Sequence, residues 1–489
     1  MKRLPFFTPV RLILPVIVLA GVAAYPFSAE ARPNILFLSI DDLNNDLGTL
    51  GVDYVKTPHL DAFAETGRLF SHHYVAVPSC GPSRAALLRG KRPTEQAHLP
   101  NTAMLRTHED WGNQSLPAWF RKHGYTTLAL GKVTHYPGGM AGEGWAAEPE
   151  ELPGAWDRTW VPEGSPWATP EDMMHGYANG VPRDRGNSFE SGSPAWEAFD
   201  GPDNAYPDGW VAEEAIEVLE ELAGSEQSWF FAVGFFKPHL PFAAPKKYYE
   251  MNDPDLIPEP HDTDRHAAPS SWHPSNELSV NYGGHPDHPN DDPAYARQLR
   301  HAYAAATSYV DAQVGRVLEK VEQLGLDDNT IVVVWSDHGF ALGHHGIWGK
   351  HSLYDIALKA PLMIRYPGIE QPGEIADAVI ETVDLYPTLT DLAGVPTPEA
   401  LHGVSLRPCL KDPKTPSVKP AFAFFRNGQT SVRNDDWRLI MHRDDEQILG
   451  YELFDFRDDP HGQRRDPDDH PSVVEDLSKH FDTLPWISR

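Results

Sequence analysis

Cysteine is nearly absent from this 489-residue chain: Cys80 and Cys409 are the only two. A disulfide-rich framework is therefore excluded, and the plainest use of the pair is a single Cys80–Cys409 disulfide, set against a chemical use of Cys80. Positive charge is scarce as well. Lys+Arg total 41 against 70 Asp+Glu, a net charge of −29, so there is no generalised basic surface and no nucleic-acid partner is expected. An anionic substrate must be caught by a local basic pocket. Beyond the N-terminus no apolar run is long enough to span a bilayer, and no internal repeat is visible.

Apolar and aromatic residues are present in ordinary proportion, 40% and 11%, as expected of a globular chain with a large core. At the start, Lys2, Arg3 and Arg11 precede "LILPVIVLAGVAAY", and "AEA" at Ala29 to Ala31 offers a small-x-small cleavage site. That run is short of the roughly 20 residues that cross a bilayer. Residues 1–31 read as a signal peptide, which makes the chain exported, periplasmic or secreted, with no membrane span after cleavage.

Short apolar runs alternate with helical patterns. "NILFLSI" (34–40), "TTLALG" (126–131), "WFFAVGFF" (229–236), "TIVVVWS" (330–336) and "PLMIRY" (361–366) read as strands buried on both faces. "GWVAEEAIEVLEEL" (209–222) and the stretch 295–325 carry helical spacing. The expected class is α/β, with a large, mostly parallel central sheet between helices. Residues 140–210 and 251–295 are rich in Pro, Gly, Asp, His and Trp, which predicts long surface loops. After the Pro-rich stretch 403–420, "QTSVRNDDWRLIMHR" and "GYELFDF" read as antiparallel strands of a small C-terminal α+β domain, so the expected division is 32–410 and 411–489.

Acids fall at strand ends. Asp41 and Asp42 follow the first strand, and Asp337 with His338 follows "TIVVVWS". In an open α/β sheet ligands bind at the carboxyl ends of strands. An isolated Asp pair there is more often a turn or helix cap; two such clusters point to a site. Three carboxylates and one histidine suit a hard cation, Ca2+ ahead of Mg2+, better than zinc.

The remaining question is the cysteine in "VPSCGPSRAALLRGKRP" (77–93), followed four residues later by Arg84 and the start of a helix. Cys80-Gly81-Pro82-Ser83-Arg84 resembles the C-x-P-S-R signature of the type I, formylglycine-dependent sulfatases. The strand-end "DD", "GKVTH" (131–135), "KPHLPF" (237–242), "SDHG" (336–339) and "WGKHSLYD" (348–355) follow in that family's order, and "YELFDFRDDP" (451–460) is similar to its C-terminal domain. "GKVTH", "KPHLPF" and "DHGFALGHHGIWGK" are most similar to the iduronate-2-sulfatase branch.

The resemblance implies an alkaline-phosphatase-like sandwich and an enzyme that removes sulfate from a sulfated mono- or oligosaccharide. It implies that a formylglycine-generating enzyme converts Cys80 to an aldehyde, whose hydrate offers one hydroxyl to attack sulfur and a second to expel the sulfate afterwards. Asp41, Asp42, Asp337 and His338, with modified residue 80, match the metal ligands. Arg84 would hold the diol and Lys132 and Lys350 would grip the sulfate. His135 would take the proton of the second hydroxyl, and His239 would donate to the leaving oxygen, shared with Lys350.

Two positions depart from the family: Arg89 stands where threonine is common, and His344 where the iduronate branch has an acid. Phe340, His344 and Trp348 are expected beside the pocket, as selectors of the sugar. A terminal, 2-O-sulfated uronic acid is the first candidate substrate. Alternatives are a phosphonate monoester or phosphodiester hydrolase of the same superfamily, and a catalytically inactive sulfated-glycan binding protein.

Overall fold

The computed structural model describes residues 32–184, 192–283, 288–426, 428–444 and 447–484; the expected signal peptide lies outside them. Eight strands make the central sheet: β1 (Asn34–Asp41), β2 (Arg68–Phe70), β3 (Thr126–Gly131), β4 (Arg158–Trp160), β5 (Trp229–Pro238), β6 (Thr330–Ser336), β7 (Leu362–Arg365) and β8 (Ile375–Ala376). Their order is β8-β2-β7-β6-β1-β5-β3-β4. Only β7 runs against the others, pairing antiparallel with both β6 and β2.

Side-chain alternation along β1 builds two cores. Ile35 and Phe37 face one layer, with Phe230, Val333, and Phe120 of α2 (Leu116–Lys122). Leu36, Leu38 and Ile40 face the other, with Val211 and Leu219 of α3 (Pro207–Leu222) and Val310, Val314 and Val317 of α4 (Pro293–Gln323). Each fully buried side chain of this size contributes about 1.5–3 kcal/mol, which explains why the strands read as continuous apolar runs. The long α4 begins where Asp292 caps it, accepting from the backbone N–H of Ala294 at 2.9 Å and Tyr295 at 3.2 Å. Among the described residues, the expected loop regions hold short elements, such as Pro170–Met174 and Asn276–Asn281, and the first residues of α3 and α4.

The C-terminal sheet is an antiparallel meander of β9 (Ala421–Phe425), β10 (Gln429–Arg433), β11 (Trp437–Asp444), β12 (Gln447–Asp455) and β13 (Gln463–Arg465). Phe422, Phe424, Leu439 and Leu453 pack against Val77, Ala86 and Val383 of the larger body. Cys80 and Cys409 are both buried free thiols, so the single disulfide is not formed. Among the described residues no helix is long and apolar enough to cross a membrane.

Candidate active site

The site stands at the carboxyl ends of β1 and β6. A register irregularity between Ile40 and Asp41, on the side facing β5, turns the end of β1. Asp42 then takes a left-handed φ of 60°, so consecutive carboxylates are presented from one strand end. Asp42 N–H donates to Asp337 Oδ1 at 3.1 Å and Asp337 N–H to Ile40 O at 3.3 Å. Asp41, Asp42, Asp337 and His338 are all fully buried.

Cys80 is the first residue of α1 (Cys80–Arg89), and its Sγ lies 3.3 Å from His338 Nε2. His338 Nδ1 donates to Gly339 O at 3.1 Å, which leaves Nε2 with its lone pair turned to the site. Ser83 Oγ ties the helix to the strand end by donating to Asp337 O at 2.6 Å. Gly81 is demanded by a close approach: a Cβ there would stand 2.4 Å from Asn101 Cα. Ligand atoms of Asp41, Cys80, Asp337 and His338 lie within 4.8 Å of one another, as do those of Asp41, Asp42, Cys80 and His239.

Three cations balance the carboxylates. Arg84 donates from Nε to Asp337 Oδ2 at 2.9 Å, from one terminal nitrogen to Ser39 Oγ at 2.9 Å, and pairs with Asp41 at 3.3 Å. Lys132 pairs with Asp41, and Lys350 Nζ donates to Asp42 Oδ1 at 2.8 Å and Oδ2 at 2.9 Å. Burial raises Asp41, yet Lys132, His239 and Arg84 together hold it well below the usual carboxylate range. Burial pushes Asp42 well up, Lys350 opposing and Asp41 adding to the rise. Burial and Asp41 also hold the Cys80 thiol well above its usual range, so unmodified Cys80 is a poor thiolate nucleophile.

His135 and His239 are buried at the rim. Burial, with Lys132 beside it, holds His135 well below the ordinary imidazole range; burial with Lys350 brings His239 to about 4. Sequence reasoning missed Glu277, whose Oε1 lies 3.0 Å from Lys350 Nζ and 3.4 Å from His239 Nε2. It sits in a short helix inside a loop-rich stretch, where no motif marks it. Lys237, by contrast, is used inward: its Nζ donates to His239 O at 3.0 Å and Pro241 O at 2.7 Å, holding the loop that carries His239.

Three residues expected beside the pocket lie elsewhere. Phe340 and Trp348 are buried in the core with Phe242 and Tyr303. His344 lines a separate cavity of about 660 Å3, together with His261, Arg300 and His461, and none of the residues named for the site lines it. Arg89 is buried, donating to Gly112 O at 2.8 Å, and burial brings it down to about 10.

Comparison with known proteins adds an independent line. A family model described as Sulfatase matches residues 33–395, and one described as N-sulphoglucosamine sulphohydrolase, C-terminal, matches 343–484. An iduronate 2-sulfatase of Mus musculus is 32% identical over 415 residues, covering 77% of this chain and 71% of that protein. The Homo sapiens iduronate 2-sulfatase is 30% identical, covering 75% and 70%. Among solved structures, a phosphonate monoester hydrolase of Agrobacterium radiobacter superposes with a TM-score of 0.73 at 24% identity, over 93% of this chain and 95% of that one; at that identity the likeness speaks for the fold.

Proposed function

The chain belongs to the sulfatase family, and from that premise we propose that it hydrolyses the sulfate ester of a sulfated sugar, with residue 80 as its nucleophile. The carrying observation is the set of groups converging on Cys80: His338 at 3.3 Å, three buried carboxylates, and Arg84, Lys132 and Lys350. The donor set is rich in oxygen and fits a hard divalent cation, Ca2+ ahead of Mg2+, held by Asp41, Asp42, Asp337, His338 and an oxygen of modified residue 80. Bound there, the cation would lower the pKa of an attacking hydroxyl and offset charge on a sulfate oxygen. Conversion of Cys80 to formylglycine by a generating enzyme would supply that hydroxyl and a second one able to expel sulfate.

The chain's own residues then divide the work. Arg84 is fixed by Asp337, Ser39 and Asp41, so its planar fork is set before substrate arrives. Lys132 and Lys350 grip the sulfate oxygens as charge develops. Buried, neutral His135 accepts the proton of the second hydroxyl. His239 and Lys350 serve the leaving oxygen, and Glu277 bridges them: its charge favours the protonated His239 against the burial that opposes it. Glu277→Gln should therefore lower turnover by about 10-fold or more, a fraction of a general acid's contribution. The loss should be larger on a sulfated sugar than on an aryl sulfate with an acidic phenol. Equal losses on both would remove Glu277 from leaving-group protonation.

For the sugar, the uronate reading gains one residue. Arg183 is half-buried, its guanidinium 5.4 Å from the Tyr282 ring centroid, and it acts on the charge of half-buried His175, whose ring lies 5.5 Å from that of His239. Among the described residues no carboxylate lies within ion-pair distance of Arg183, so it is placed to meet a carboxylate on the substrate. A net charge of −29 opposes a long polyanion, which favours exo action on oligosaccharides. A panel of defined sulfated oligosaccharides should show fastest release from terminal 2-O-sulfated uronic acid units, with a raised KM in Arg183→Ala on those units alone. Cleavage confined to internal sulfates would overturn exo action, and activity confined to amino-sugar sulfates would overturn the uronate.

A further inference from the structure

Away from Cys80, the loop after the helix Lys246–Met251 carries Asp262 and His266, and the turn 343–346 brings His345 against them. Both imidazoles converge on one carboxylate oxygen: His266 Nε2 lies 3.2 Å, and His345 Nδ1 3.1 Å, from Asp262 Oδ2. The other oxygen, Oδ1, is engaged by the backbone N–H of Asp264 at 2.9 Å. Two ligands each about 2.0–2.1 Å from a tetrahedral zinc stand roughly 3.3–3.4 Å apart, close to both separations. Hydrogen bonding does not account for His345: its buried Nδ1 has no hydrogen-bond partner despite the short distance, because the N–H direction misses the oxygen.

The surroundings are built as a metal site's surroundings are. On the far side of the His266 ring, Nδ1 lies 3.6 Å from the Glu452 carboxylate, within ion-pair range but without a hydrogen bond, so that a small shift of the ring on metal binding would bring the two into the carboxylate–histidine pairing that orients metal-bound imidazoles. Glu452 is fully buried on β12 and is itself held by His442 Nε2 at 2.9 Å, by Ser271 N–H at 2.8 Å and by Tyr354 Oη–H at 3.1 Å. His345 is placed by its backbone: φ is 54°, and its N–H donates to Asp262 O at 2.7 Å. It also lines the 660 Å3 cavity.

We propose that Asp262, His266 and His345 form a second metal site, for Zn2+ or a divalent ion of similar preference, that staples the 252–275 loop to the 343–346 turn and, through Glu452, to the C-terminal sheet. Two imidazoles and one carboxylate suit that class, whereas the carboxylate-rich site around Cys80 suits Ca2+. The stapled loop leads directly into the helix carrying Glu277, so the metal would steady the rim of the active site from behind.

The test uses the whole protein, stripped of metal, reloaded with excess Ca2+, and titrated with Zn2+ against a competing zinc indicator. Expected is one Zn2+ per chain with a raised thermal midpoint, and with Co2+ the strong visible bands of a tetrahedral ion. Asp262→Asn, which keeps shape and removes the shared charge, should lose the bound ion. Glu452→Gln should weaken it by about 10- to 100-fold. A wild-type protein that binds no more zinc than Asp262→Asn would overturn the proposal, as would binding undiminished in both variants.

Discussion

Cys80→Ala should fold normally and fail to turn over. The side chain lost is small and opens a helix, where alanine is the best helix former, so the stability change should be about 1 kcal/mol or less. The fall in turnover should be on the order of 10^4-fold or more, as when the nucleophile of a covalent mechanism is removed. The surroundings say why nothing else can substitute: the neighbouring hydroxyls are already engaged, Ser39 Oγ accepting from Arg84 and Ser83 Oγ donating to Asp337 O. Cys80→Ser should accept a sulfate once and hold it, because a lone hydroxyl has no geminal partner to expel the group. The peptide around residue 80 should show the mass of formylglycine in active protein. Multiple turnovers by Cys80→Ala would sink the mechanism, and unmodified Cys80 in the native host would favour the glycan-binding alternative.

Much of the fold was legible because both faces of the sheet are covered. Runs such as "TIVVVWS" and "NILFLSI" are apolar throughout since alternate residues enter different cores. Direction was not legible. Nothing in "PLMIRY" says that β7 runs against its neighbours, because an apolar run looks the same either way. The convergence of Asp41, Asp42, Asp337 and His338 was legible because two acid clusters end two buried strands at the same sheet edge, where either alone would more often be a turn or cap, and six ordered motifs supplied the company they keep.

What sequence proximity could not provide was direction of side chains. Phe340, His344 and Trp348 flank motif residues but turn into the core or toward the other cavity, while Glu277, remote in sequence from every motif, reaches Lys350 and His239. Tyr303 was equally hidden. Midway along α4, its hydroxyl donates to Asp42 O and accepts from Asn44 N–H, each at 2.8 Å, and so fixes the turn that presents Asp42.

Removal of the divalent ion should cost both activity and stability, and the stability loss should depend on pH with a definite sign. Burial, with Arg84 opposing and Asp41 adding, pushes the Asp337 carboxyl up to about 7, and Asp42 shifts in the same direction. A carboxyl raised in the folded protein holds its proton there while the unfolded chain has already lost it. From the ordinary carboxylate range up to about pH 7, these two carboxyls therefore bind more protons in the stripped folded protein than in the unfolded chain, and their contribution to its stability falls as pH rises through that window; the buried histidines, shifted down, act with the opposite sign but alike in stripped and loaded protein. Asp41, held low, acts oppositely only at more acid pH, where its folded and unfolded forms differ in protonation. A bound cation takes the place of the proton, so loaded protein should show little of this slope. The gap between loaded and stripped thermal midpoints should therefore widen from about pH 5 to about pH 8. A ligand at a hundred times its Kd adds about 2.7 kcal/mol, which sets the scale of rescue by Ca2+; Mg2+ should restore less. Chelation should be confirmed by elemental analysis. Full activity in stripped protein, or a gap that narrows toward alkaline pH, would show that Asp41, Asp42, Asp337 and His338 do not share a cation.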